Sequence, residues 1–200
     1  MQLVLPVNTE SARLILADPL NEDAYFSFCE ANPGLRIERT AKGEIVIVPP
    51  AGGESDYRSL EIAGELRAWA KKDRRGIAFG SSAEFLLPNG AALAADAAWV
   101  SHEKLACLNK EQRRKFLRVV PEFVAEVMSP SDRLPAAKEK MLEWMANGVS
   151  LGWLIDGDAQ TVSIYRPGQA VETRTGIKVL AGDGPLKGFS IKLADLWAGL

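Results

Sequence analysis

Histidine is almost missing from this chain: His102 is the single one in 200 residues. That excludes a metal centre built from several imidazoles, and any Ser-His-Asp arrangement would have to use His102. Cysteine is scarce as well. Cys29 and Cys107 form no CxxC pair and have no histidine at ligand spacing, so they read as buried thiols in a reducing compartment. An excess of one charge is also absent, since 24 Lys and Arg stand against 26 Asp and Glu. The formal net charge of −2 excludes a histone-like coat protein and leaves room for an enzyme with a local basic patch. No apolar run approaches the roughly 20 residues of a membrane span, and the N-terminus lacks the basic start and apolar core of a signal peptide. These absences point to the cytoplasm and to no membrane partner.

What is present suits one domain with a sizeable core: 47% hydrophobic and 25% charged residues over 200 positions. Asn21-Glu22-Asp23 can open a helix that puts Tyr25, Phe28 and Cys29 on one face. The stretch "LRIERTAKGEIVIVPP" reads as a hairpin turning at Lys42-Gly43 and closed by Pro49-Pro50. Ile62, Leu66 and Trp69 predict a helix over residues 57–72. Short strands follow in "IAFG", "AEFLLP" and "DAAWVS", with a turn at Asn89-Gly90. A basic helix is expected over 102–118, a buried strand in "EFVAEVM", and a helix over 135–147 that stops at Gly148. "SLGWLID" and "TVSIYRP" pair about Gly157-Asp158, and short strands with a terminal turn close the chain. There are no repeats and no credible linker. The order predicts an α/β domain with a mixed central sheet flanked by helices, and an N-terminal helix and β-hairpin extension.

Two carboxylates sit in unusual company. In "EFVAEVM" the alternation puts Phe123, Ala125 and Val127 on one face and Val124, Glu126 and Met128 on the other. Glu126 is then a charge in a central strand, which is costly unless paired or metal-bound. Asp96 has only Ala, Leu, Trp and Val for four residues on either side. Each alone could be an ion-pair, turn or cap residue. Two buried acids on neighbouring strands form a minimal site for a hard divalent cation such as Mg²⁺. A lysine is the third element. On helix 135–147 both Lys140 and Lys138 border the stripe Ala137, Met141, Trp144 and Met145, and spacing does not choose between them. The plain alternative for either is a solvated or snorkelling helix lysine.

The stretches "GEIVIVPPAGGESDYRSLEI", "GSSAEFLLPNGAALAADAAWVS" and "PEFVAEVMSPSDRLPAAKEKMLEWMANGVSLGWLID", with "YRPG", resemble the Uma family of restriction-endonuclease-like proteins. That family belongs to the PD-(D/E)XK nuclease superfamily. The likeness runs from about Leu35 to the C-terminus. It implies a nuclease domain over 35–200, preceded by a helical extension over 1–34. It also implies a restriction-endonuclease-like core and Mg²⁺-dependent DNA cleavage, with Mn²⁺ able to substitute. Asp96 matches the aspartate of the PD motif, whose proline is replaced by Ala95. Glu126 matches the acid of the (D/E)xK motif. The lysine normally lies two residues further on, where this chain has Met128, and Lys140 matches a lysine displaced to the next helix. The backbone carbonyl of Val127 is implied as a further metal ligand. An upstream helix acid completes such sites, with Glu61 the best match and Glu65 one turn on. Cutting both strands favours a homodimer.

The run "NKEQRRKFLR" gathers Lys110, Arg113, Arg114, Lys115 and Arg118. It reads first as a solvated helix face. If it meets DNA, it would neutralise phosphates without reading bases. Trp99, Trp144 and Trp153 are expected in the core, and His102 at the surface. The rival to a nuclease is a catalytically silent, nuclease-derived scaffold that binds nucleic acid or forms a dimer.

Overall fold

The computed structural model describes residues 12–130 and 132–200. The initial stretch 1–11, where the reading of the N-terminus as signal-free falls, lies outside them. A short strand β1 (Ala12–Leu14) leads to helix α1 (Glu22–Glu30), whose N-cap Asn21 accepts the Ala24 N–H at 2.9 Å. The expected hairpin follows as β2 (Arg36–Arg39) and β3 (Ile45–Val48), antiparallel, with Gly43 at φ +81° in its turn. Helix α2 (Gly53–Asp73) is longer than its apolar stripe predicts. Strands β4 (Gly76–Gly80), β5 (Glu84–Leu86), β6 (Ala92–Ala94) and β7 (Ala97–Ser101) come next, then short helix α3 (His102–Ala106). The second half holds β8 (Phe123–Val127), α4 (Leu134–Ala146), β9 (Leu151–Asp156) and β10 (Thr161–Tyr165). It ends in β11 (Glu172–Thr175), β12 (Val179–Ala181), β13 (Ser190–Lys192) and α5 (Ala194–Ala198).

These strands form a six-stranded sheet, β11-β10-β9-β8-β7-β4, and a five-stranded sheet, β1-β3-β2-β6-β5, with β12 and β13 paired separately. The larger sheet is mixed: β8 and β9 run parallel, and its other neighbours are antiparallel. Both of its faces are covered, which is why β8 is apolar almost throughout. Ile62 and Leu66 of α2 pack on Trp99, Phe123, Ala125 and Val127. On the other face, Met141 and Trp144 of α4 pack on Ala98, Val124 and Leu154. The hairpin joins the second sheet by pairing Arg39 with Ala92, and α1 covers it through the buried ring of Tyr25 against Ile37, Ile45 and Ala92.

Three expectations are corrected. The basic stretch 102–118 is not one helix. Asn109 and Gln112 exchange side chain-to-backbone hydrogen bonds at 2.8 and 2.9 Å, which starts a separate 3₁₀ turn over Gln112–Arg114. Beyond it, Leu117 bonds the β5 backbone and is drawn into extended form. Cys107 is exposed and not buried, because it follows α3 on the side away from Leu105 and Leu108. Strands β1, β6 and β11 form where no strand is expected, each completing a ladder that only the tertiary fold supplies.

Candidate active site

The chain passes from the smaller sheet to the larger one between β6 and β7, and Asp96 is the residue at that crossing. Its Oδ2 accepts the Val127 N–H at 2.8 Å, just beyond the point where the β7–β8 ladder ends at Ala97 and Ala125. A strand residue carries its N–H and C=O on the same edge, so the Val127 carbonyl also faces the Asp96 side. Glu126, one residue earlier, points to the α4 face. There Trp144 donates its indole N–H to Oε1 at 2.9 Å.

Lys140 lies one helical turn before Trp144, and the same face of α4 delivers both. Its ammonium contacts Glu126 at 3.1 and 3.3 Å. It also donates to Oε1 of Glu38 and to the Ala94 carbonyl, each at 2.9 Å. Lys138 is exposed on α4, so of the two lysines that spacing left open it is Lys140 that faces Glu126. Glu38 is the residue that sequence reasoning missed. It is buried on β2, ties Lys140 to the hairpin, and its Oε1 also accepts the Ala94 N–H at 3.3 Å. Arg36, two residues earlier on the same face of β2, holds its Nη2 3.5 Å from the Ala94 carbonyl and 3.9 Å from Oδ1 of Asp96.

Burial dominates the electrostatics. It pushes Glu126 up to about 7; Lys140 pulls it back, and the charges of Asp96 and Glu38 push it further. Burial also raises Asp96, against the Val127 N–H and the Lys140 and Arg36 charges. For Lys140, burial favours the neutral amine, yet the carboxylates of Glu126 and Glu38 outweigh it and hold the proton on. Among the described residues no three His, Cys, Asp or Glu side chains converge closely enough to hold an ion by themselves. The donor set nonetheless fits a hard divalent cation, which keeps several waters and needs only one or two carboxylates. Asp96 and Glu126 are oxygen donors whose desolvated charges a cation would offset, and the Arg36 guanidinium stands 3.9 Å from Oδ1 of Asp96.

The other expected residues lie elsewhere. Glu61 sits on α2, which covers the opposite face of the sheet from Glu126; its charge and that of Asp195 act on Tyr57. No hydrogen bond or ion pair among the described residues joins Glu61 to Asp96, Glu126 or Lys140, and Glu65 is exposed on the same helix. Strand alternation is the reason: Ile62 and Leu66 of α2 meet Val127, one residue from Glu126 and on the opposite face. Two residues of the basic run reach α1 and a third reaches α3. Arg118 pairs with Glu22, Lys115 lies 3.8 Å from Asp23, and Arg113 donates to the Leu105 carbonyl at 2.9 Å.

Asp96, Glu126 and the ion-paired Lys140 thus lie together where the chain crosses from one sheet to the other. The fold is shared with the crystal structure of "a putative nuclease belonging to DUF820" from Anabaena variabilis ATCC 29413. The two are 20% identical and superpose with a TM-score of 0.74 over 90% of this chain and 98% of that one. The model of the Uma2 family, described as "Putative restriction endonuclease", matches residues 22–194, and the chain belongs to that family. None of the curated proteins matches it.

Proposed function

We propose that this chain is a Mg²⁺-dependent endonuclease that hydrolyses DNA phosphodiester bonds by a PD-(D/E)XK-type reaction. The observation that carries the reading is the convergence of Asp96, Glu126 and Lys140 from three elements on one buried point. Asp96 and Glu126, with the Val127 carbonyl, would hold the cation, and Mn²⁺ would substitute. When bound, such an ion activates water and offsets charge on the phosphoryl group.

The protein's own contributions follow from the contacts. Lys140, held by Glu126 and Glu38, would place a positive charge beside the reacting phosphate and orient water through its N–H donors. Glu38 and the Ala94 carbonyl fix that ammonium. Trp144 fixes the Glu126 carboxylate and excludes water behind it. The exposed Arg113, Arg114, Lys115 and Arg118 are the phosphate contacts available outside the site, weakened because α1 acids already pair with two of them. Cutting both strands favours two such sites, and the reading takes a homodimer acting in the cytoplasm.

The test is nicking of supercoiled plasmid with Mg²⁺ or Mn²⁺. Asp96→Ala and Lys140→Ala should each lower the rate by at least about 10²-fold, while Lys138→Ala, on the exposed side of α4, keeps it. Activity that survives Asp96→Ala, or an inactive wild type that also fails to bind Mn²⁺ by calorimetry, overturns the reading. A wild type that binds Mn²⁺ and cuts nothing supports the silent scaffold instead.

A further inference from the structure

The site contains a second cation that the reaction scheme above does not use. Arg36 stands at the start of β2, and its guanidinium approaches Asp96 without a close partner there. Nη2 makes only long contacts, 3.5 Å to the Ala94 carbonyl and 3.9 Å to Asp96. Nε is buried and, among the described residues, has no hydrogen-bond partner. Nε–H and Nη2–H point as a fork from the same edge of a guanidinium, and Nη2, 3.9 Å from Asp96, sets that edge beside the site with only the long Ala94 contact on it. A buried donor without a partner is costly, and such groups in folded proteins call for an explanation.

A phosphodiester supplies the missing acceptors. Its two non-bridging oxygens match the spacing of the fork, and charge-assisted bidentate pairing is what arginine does better than lysine. Access is consistent with this. The Arg36 side chain is 33% exposed, against 23% for Lys140 and 13% for Asp96, which makes it the most open of the three. Charge argues the same way. Asp96, Glu126 and Glu38 are three acids against the two cations Lys140 and Arg36, so the empty site repels an anion. A divalent ion reverses that sign, and a phosphodiester then brings the site close to neutrality. Without Arg36 the same complex would carry an uncompensated negative charge.

We propose that Arg36 is a substrate-contacting residue that grips the non-bridging oxygens of the phosphodiester held beside Asp96. This rests on the nuclease reading, and the experiment separates the two. Wild type, Arg36→Ala and Arg36→Lys are compared in three measurements on the full chain: calorimetric Mn²⁺ titration, binding of a short duplex DNA in Ca²⁺, and plasmid nicking in Mg²⁺. Arg36→Ala should bind Mn²⁺ as tightly as wild type or slightly more so, because a competing cation leaves Asp96. It should bind the duplex about tenfold more weakly and nick about 30-fold more slowly, the range of a lost charge-assisted pair. Arg36→Lys keeps the charge without the fork and should fall between; it also serves if the alanine variant folds poorly. Unchanged duplex binding and nicking in Arg36→Ala, with an active wild type, overturn the inference and leave the nuclease reading intact. The inference is equally overturned if nicking falls only in step with lost Mn²⁺ affinity, since Arg36 would then merely support Asp96. A wild type that neither binds duplex DNA in Ca²⁺ nor nicks removes the reading and the inference together.

Discussion

Arg58 and Lys140, each held by carboxylates, differ in which partner is taken out of water. Arg58 on α2 is fully enclosed. It donates to the Leu196 carbonyl and Asp158 at 2.9 Å and to Glu54 at 2.8 Å, which locks α5 and the β9–β10 turn onto the helix. Its acidic partners stay in water, with side chains 42% and 58% exposed. Around Lys140 the burden is reversed. The carboxylates of Glu38, Glu126 and Asp96 are themselves desolvated, and burial raises both Asp96 and Glu126. A clamp buries one charge and saturates it. Around Lys140 the fold desolvates an excess of acid, which the proposed divalent cation would offset.

That contrast can be broken from either side. The largest stability effect is expected at the clamp: Arg58→Ala should lower the unfolding free energy by about 3 kcal/mol in urea melts. Mn²⁺ affinity of the folded protein should not change. A Mn²⁺ affinity that falls with it would mean the two clusters are not independent.

A smaller effect is expected at Glu84, a buried acid near Glu38 whose carboxylate accepts the Tyr25 hydroxyl. Burial pushes it up to about 7, with the Tyr25 hydrogen bond opposing and the Glu38 charge adding to the rise. The native state therefore holds this proton more tightly than the unfolded chain does. Its stabilising contribution is complete below the ordinary glutamate value and is lost as pH rises to about 7. Glu84→Gln should flatten that decline, leaving the variant about 2 kcal/mol more stable relative to wild type at pH 8 than at pH 4.5. Thermal melts across that pH range give the answer, and parallel curves would refute the assignment.

The smallest effect sharpens the distinction within the site. Glu38→Gln keeps an oxygen for Lys140 but removes one of the charges that hold it. Nicking should fall about tenfold while Mn²⁺ affinity stays within about twofold, because Glu38 positions the lysine and does not carry the ion. A parallel loss of Mn²⁺ binding would move Glu38 into the ligand set.

Asp96 and Glu126 were legible because each interrupts an apolar run, and burial makes such interruptions rare. Glu38 and Arg36 were not, because they alternate with Leu35 and Ile37 in a hairpin whose polar face looks solvated. The signal lay in the partner strand: β3 is Ile45-Val46-Ile47-Val48, and Val46 and Val48 sit opposite Glu38 and Arg36. A strand apolar on both faces is covered on both, so its neighbour's polar residues face inward. The long match to the Uma pattern likewise suggested a helix acid at Glu61, which the fold places on α2, across the sheet from Glu126.

The sequence by itself determined the mixed α/β fold, the two acids in apolar surroundings, the helix that carries the lysine, and the family. These follow from periodicity and local composition, which act over a few residues. Tertiary structure decided which lysine turns inward and that the N-terminal hairpin closes the site. It also showed that two residues of the basic run reach α1 and that Arg36 meets Asp96. Each of those depends on two segments distant in the chain meeting at the crossing between the sheets, and no local pattern encodes that meeting.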